Sequence, residues 1–145
     1  MNNLTIEDVV RERQSKALFT VPASAPVAEA VDLMAKESIG AVLAMSEDNL
    51  VSGIFTERDV LTRVVDSGRD PTSTKVVDVM TSEVETVRSS TGVEDAMALI
   101  SERRFRHLPV IDDGTLLGVV SSGDLTRWVS RHQEGHIQHL ENYIT

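Results

Sequence analysis

The chain has no cysteine, and only one tryptophan, one tyrosine and three phenylalanines among its 145 residues. Without cysteine there is no disulfide framework and no thiolate metal site. Aromatics at 3% are too sparse for the stacking platform of a single-strand nucleic-acid binder. No apolar run approaches the roughly 18 residues that a membrane-crossing helix needs. Positive charge is also short, because 14 Lys and Arg face 23 Asp and Glu, a formal net charge of −9 that opposes nonspecific attraction to a phosphate backbone. An anionic ligand must therefore meet a local cluster of arginines. The first residues carry acids and alternate in polarity, unlike a signal peptide. These absences point to a soluble cytoplasmic protein with neither nucleic acid nor membrane as a partner.

What the chain does have is repetition. Gly53-Ile54-Phe55-Thr56-Glu57-Arg58-Asp59 and Gly118-Val119-Val120-Ser121-Ser122-Gly123-Asp124 share one pattern: Gly, two apolar residues, Thr or Ser, two variable residues, Asp. Upstream of these motifs, Thr20, Val21, Ser24, Val27, Ala30 and Leu33 recur as Thr86, Val87, Ser90, Val93, Ala96 and Leu99. A lead-in, Ile6-Glu7-Asp8-Val9, recurs as Val76-Val77-Asp78-Val79. Duplication on this scale sets the architecture, and a polar triplet repeated at one place in both copies suggests a duplicated site. The expected division is a first unit over residues 1–70 with an N-terminal helix, a second over 71–130, and a helical tail over 131–145.

Within a copy, Val27, Ala30, Val31 and Met34 follow the spacing of one buried helix face, starting near Pro26. The second copy repeats the stripe with Val93, Ala96, Met97 and Ile100, and Thr91-Gly92-Val93-Glu94 reads as a capping box. Two apolar runs follow, Ala41–Met45 and Leu50–Phe55, then Leu108–Ile111 and Leu116–Val120 in copy two. Each pair is joined by an acidic turn, which fits an antiparallel hairpin covered on both faces. A second helix begins at the Thr/Ser-x-x-Asp position and in copy one closes at Ser67-Gly68. The unit is strand, helix, strand, strand, helix, and each α/β half leaves an apolar face for its twin to cover.

A repeated unit of this order ending Gly-h-h-Thr/Ser-x-x-Asp resembles the cystathionine-β-synthase (CBS) domain, and two in tandem resemble a Bateman module. The supporting segments are Val77-Asp78-Val79-Met80-Thr81, Thr86-Val87, Arg106-His107-Leu108-Pro109-Val110 and the two Gly-to-Asp motifs, spanning about residues 6 to 128. The chain is similar to stand-alone bacterial CBS-pair proteins without a catalytic domain. The resemblance implies an α/β (α+β) fold of two β-α-β-β-α units with pseudo-twofold symmetry and helices at both termini. It also implies a disc-like homodimer and a sensor of adenine nucleotides of the AMP, ADP, ATP or NAD type, with Mg²⁺ as a possible companion and an unidentified downstream protein partner.

The residues support that implication chemically. A ribose offers two neighbouring hydroxyl donors, and a carboxylate such as Asp59 or Asp124 only accepts. Thr56 and Ser121 place a hydroxyl at a helix start, where free N–H groups favour phosphate oxygens. Small Gly40 and Ala41, beside Ile39 and Val42, would let a flat base lie near backbone. Copy two has Phe105, Arg106, His107, Leu108 and Pro109 there instead, so the two clefts should differ. Under the resemblance these segments, with backbone around Thr20-Val21 and Thr86-Val87, line the base pockets. Arg58, Arg63 and Arg106 are the candidates for phosphate contact.

Blander readings compete with each of these. Thr/Ser-x-x-Asp is an ordinary capping pattern, and only its duplication lifts it toward a ligand role. His132, His136 and His139 have helical spacing but no full ligand set, so they read as a polar face, with Trp128, Ile137, Leu140 and Ile144 packing inward. The run Glu102-Arg103-Arg104-Phe105-Arg106 reads as a helix C-terminus that favours cations. No nucleophile elbow, metal set or phosphate-binding loop supports catalysis. The reading is a non-enzymatic nucleotide-binding regulator, with a constitutive interaction module whose clefts are empty as its rival.

Overall fold

The computed structural model describes residues 4–12, 19–103 and 105–132. The tail positions His136, Ile137, His139, Leu140 and Ile144, and Arg104 of the basic run, lie outside the described residues. The chain divides into two compact units, one formed within residues 19–85 and the other from residues 4–12 with 86–132.

In the first of these, β1 (Thr20–Pro22) leads through helix α2 (Val27–Glu37) to strands β2 (Ala41–Met45) and β3 (Val51–Thr56). The sheet order is β1-β2-β3, parallel between β1 and β2 and antiparallel across the hairpin. The predicted stripe of α2 is realised, with Val27, Ala30 and Met34 buried and Val31 packed beside them. Val42, Leu43 and Ala44 are buried in succession, so both faces of β2 are covered, as its unbroken apolar run required. Pro26 sits at the N-cap of α2 and offers no side-chain cap. The helix's free N–H groups are met by the linker instead: Val27 N–H donates to the Thr74 carbonyl at 2.8 Å and Ala28 N–H to that of Pro71 at 2.9 Å.

β3 passes without a loop into α3 (Glu57–Asp59), which continues as a π-helical stretch, Val60–Val65. There Asp66 N–H reaches the Leu61 carbonyl and Arg69 N–H that of Val64, each five residues back. Gly68, at φ 75°, ends the helix where the sequence placed its stop. The short α4 (Val76–Val79) closes this unit, burying Val76 and Val79 in the core with Phe55 and Val64.

The other unit holds α1 (Ile6–Glu12), α5 (Val93–Arg103), the hairpin β4 (His107–Asp112) and β5 (Thr115–Ser121), and α6 (Ser122–His132). Asp113 and Gly114 both have positive φ, 49° and 82°, the geometry that lets a two-residue turn follow strand twist. The counterpart of β1 shrinks to one parallel bridge, Val87 with Val110. Ile6 and Val9 of α1 enter a core with Val93, Ala96, Leu108, Val120, Leu125 and Trp128.

One expectation is corrected here. Helix α5 starts at Val93, so Thr91 falls before the cap, and its hydroxyl accepts the Arg88 N–H at 2.9 Å rather than capping the helix as a box with Glu94. Division by contact follows a different line from division by repeat. The two lead-ins are exchanged between the repeats: α1 bonds to the second copy (Ile6 N–H to Thr91 O, Glu7 N–H to Ser89 O, Val93 N–H to Leu4 O). α4 bonds to the first copy, through Val76 N–H to Ala25 O and Val77 N–H to Ala23 O. The sequence repeat and the packed unit are therefore offset by one helix.

Candidate functional site

Each Gly-to-Asp motif lies where the second strand of a hairpin becomes a helix. At Thr56 the backbone is extended, φ −118° and ψ 164°, and the next residue is helical. Its hydroxyl accepts the Asp59 N–H at 3.2 Å, while Asp59 Oδ2 accepts the Thr56 N–H at 2.9 Å and the Thr56 hydroxyl at 3.1 Å. The second copy reproduces this: Ser121 N–H donates to Asp124 Oδ2 at 2.9 Å, and Asp124 N–H to Ser121 Oγ at 3.0 Å. One carboxylate oxygen in each copy, Oδ2, is thus fixed by its own cap.

The strand that opens each hairpin is brought to the same place. Ala41 pairs with Thr56, and His107 with Ser121. The Gly40 carbonyl accepts the Glu57 N–H at 3.0 Å, and the Arg106 carbonyl accepts the Ser122 N–H at 2.8 Å. Gly40-Ala41 and Arg106-His107, predicted from sequence as base-pocket segments, therefore adjoin the backbone at the helix entrances. Val21, Val87 and Leu108 are buried core side chains, and Pro109 is buried as well. Of these, Val87 has its N–H and carbonyl bonded to Pro109 O and Ile111 N–H. Thr20 and Thr86 are exposed, and Ile39 is half-buried at the end of α2.

The arginines separate the two copies. Arg63 Nη1 donates to the carbonyls of Val79 and Met80, at 3.2 and 3.0 Å, and its Nε stands 3.7 Å from Asp59 Oδ1. One nitrogen of this phosphate candidate is thereby committed to the C-terminal carbonyls of α4. Arg58 and Arg106 are exposed. In the second copy a cation on the aspartate is one the sequence reading passed over: Arg127 Nη2 reaches Asp124 Oδ1 at 2.8 Å. Its signal was the i, i+3 spacing from Asp124. The two carboxylates also differ in access, since the Asp59 side chain is 10% exposed and that of Asp124 21%.

The motif glycines differ too. A Cβ at Gly53 would lie 2.6 Å from the Thr81 carbonyl and 2.7 Å from Met80 Sδ, whereas at Gly118 it would meet only Val10 methyls at 3.8 Å. A third Thr-x-x-Asp, Thr5 with Asp8, starts α1 with the same Thr5 N–H to Asp8 Oδ2 bond at 3.0 Å. The cap alone is therefore local helix chemistry. What sets Asp59 and Asp124 apart is their shared position at a strand-to-helix junction beside the start of the hairpin.

No helix among the described residues is long and apolar enough to cross a membrane. The family model for the CBS domain matches the chain twice, over residues 6–66 and 76–131. The mitochondrial CBS domain-containing protein CBSX3 of Arabidopsis thaliana is 37% identical over 147 residues, covering 97% of this chain and 71% of its own length. The CBS domain-containing protein YhcV of Bacillus subtilis is 32% identical over 116 residues, 80% of this chain and 81% of the relative. Among solved structures, a CBS-domain protein from Burkholderia ambifaria superposes with a TM-score of 0.84 at 36% identity, covering 90% of this chain and 96% of that one. A hexameric CBS-CP12 protein from bloom-forming cyanobacteria gives 0.77 at 29%, covering 87% and 68%. A chain whose two repeats each match the domain, and whose fold follows solved pairs of it, belongs to the CBS-domain family as a tandem pair.

Proposed function

We propose that this CBS pair is a non-enzymatic regulatory module that binds adenine nucleotides at the two strand-to-helix junctions and changes conformation or partner contacts in response. The observation that carries the reading is the duplicated carboxylate, held by its own cap through Oδ2 at a strand-to-helix junction that Gly40-Ala41 or Arg106-His107 adjoins. Such an acceptor suits the paired hydroxyls of a ribose, and the capped helix start beside it suits phosphate. Response follows from population shift: a nucleotide moves the module only as far as it favours one conformer over another. The Burkholderia relative is provisionally described as a signal-transduction protein, which fits a regulator.

A thermal-shift panel of AMP, ADP, ATP, NAD, NADH and S-adenosylmethionine, each with and without Mg²⁺, tests the proposal. A ligand that binds only the native state raises the melting temperature by mass action. A rise with at least one adenine nucleotide and no turnover is the expected result, and a flat panel rejects the reading. The rival, a constitutive interaction module with empty clefts, is favoured by the near burial of the Asp59 side chain at 10% exposure. Self-association enters both readings, since the cyanobacterial relative is a hexamer. A dimer is the expected state here, read by molecular mass in solution.

A further inference from the structure

We infer that Glu12, Trp128 and His132 form a pH-sensitive clasp fastening α1 to the end of α6, closed by an imidazolium and loosened when that ring loses its charge. The device does not depend on nucleotide binding. Glu12 is the last residue of α1 and His132 the last of α6. Glu12 Oε2 accepts the Trp128 indole N–H at 2.9 Å and stands 2.7 Å from His132 Nε2. The other ring nitrogen, Nδ1, lies 2.9 Å from the Trp128 carbonyl oxygen. The imidazole is stacked on the indole, with centroids 4.0 Å apart and planes at 16°.

Both ring nitrogens therefore face oxygens that accept hydrogen bonds. A neutral imidazole has one N–H and one lone pair, so in either tautomer a lone pair points at an oxygen, whereas the imidazolium donates on both sides. Two further features favour the charged ring. It lies over the face of a tryptophan, the best aromatic partner for a cation, and it sits at a helix C-terminus, where the macrodipole is negative. Trp128 is 1% exposed and keeps its own bond to Glu12, so loss of the charge slackens the clasp without discarding the carboxylate.

The neighbouring elements bring other charges. On α1, Asp8 accepts the Thr5 N–H and lies 3.7 Å from Arg11, which also reaches Glu7. β5 carries no ionisable side chain along Thr115–Ser121. α5 ends in Glu102 and Arg103, and α6 itself carries Arg131 and Arg127, the latter on Asp124. The carboxylate in contact with the ring is that of Glu12. The stabilisation is thus present in mild acid and falls as pH rises through the range, about 5 to 8, in which histidine changes charge. With the His132 and Glu12 side chains 31% and 44% exposed, solvent screens the pair and limits the change to roughly three- to tenfold in the opening of α1.

The test follows amide hydrogen exchange of α1 in the full chain from pH 5 to pH 8, expressed as protection factors so that the intrinsic pH dependence of exchange cancels. The ratio of parent to His132→Gln protection should fall roughly three- to tenfold across that range. Glu12→Gln keeps an acceptor for the Trp128 N–H while removing the anion, and it should flatten most of the same dependence. Because Trp128 is the single tryptophan, its fluorescence reports on the clasp directly. Emission should titrate over this range in the parent and stay flat in His132→Gln, which separates His132 from His107. A protection ratio that is constant from pH 5 to pH 8, or that rises with pH, overturns the inference, as does a fluorescence titration that persists in His132→Gln.

Discussion

Asp59 caps a helix and is offered to a ligand, and two substitutions separate those tasks. Asp59→Asn keeps an acceptor for the Thr56 N–H while removing the charge, whereas Asp59→Ala removes both. Under the proposed function, Asp59→Ala weakens nucleotide binding at its entrance by roughly ten- to a hundredfold and lowers stability by about 1 kcal/mol through the lost cap. Asp8→Ala, at the same cap in α1, should show the stability loss alone, with titration and chemical denaturation as the two readouts. The motif glycines give a sharper contrast. Gly53→Ala drives a methyl into the Thr81 carbonyl and should cost about 1–3 kcal/mol, while Gly118→Ala, in ordinary contact with Val10, should change stability by less than about 0.5 kcal/mol. Paired denaturation curves check this, and equal losses would remove the claim that the repeats use their glycines differently. At this scale the sequence showed the two aspartates and their caps, because that pattern is local. It could not show that Arg63 turns to Val79 and Met80, because those carbonyls arrive from a separate helix.

Helices with a 3.6-residue stripe and hairpins with a turn signal were legible as elements. Those whose ends rest on distant backbone were not. α2 was read correctly from its buried face, yet its first N–H groups are met by Thr74 and Pro71, and no local pattern announces that. The π-helical stretch after Asp59 likewise has no side-chain signature in the apolar spacing of Val60, Leu61, Val64 and Val65. One junction carries a pH dependence. The Ser89 hydroxyl and N–H both donate to the Asp112 carboxylate, joining the loop before α5 to the end of β4. These bonds, with a smaller contribution from Arg88 against slight desolvation, hold the Asp112 carboxyl below the ordinary value of 3.8. The stabilisation is therefore fully present above that value and is lost as pH falls through the depressed one. Asp112→Asn should be less stable than the parent at neutral pH, and the gap should close in acid. A gap that stays constant from neutral pH to pH 2 would show that the ionised carboxylate contributes nothing.

For the whole molecule, the repeat announced two similar halves but not which lead-in helix each would take. Ile6-Glu7-Asp8-Val9 and Val76-Val77-Asp78-Val79 are nearly interchangeable as sequence, so their exchange is decided by where the chain can reach. Ile6→Ala should cost about 2–5 kcal/mol, since the side chain is fully buried. Hydrogen exchange should show that loss in β4 and β5, whose core Ile6 shares, more than in β2 and β3. The reverse distribution would contradict the exchange of lead-ins.

The exchange also orders events on the ribosome. α1 is made before residues 19–85 yet has its partners after them: Glu12 accepts the Trp128 indole N–H across 116 positions of chain. Residues 19–85 hold all of their own core, so they can complete it while α1 waits, as a nascent helix of seven residues too short to persist alone. A chain stalled within α5 should therefore show protease-resistant residues 19–85 and a cleavable α1, and only emergence of α6 should shield α1.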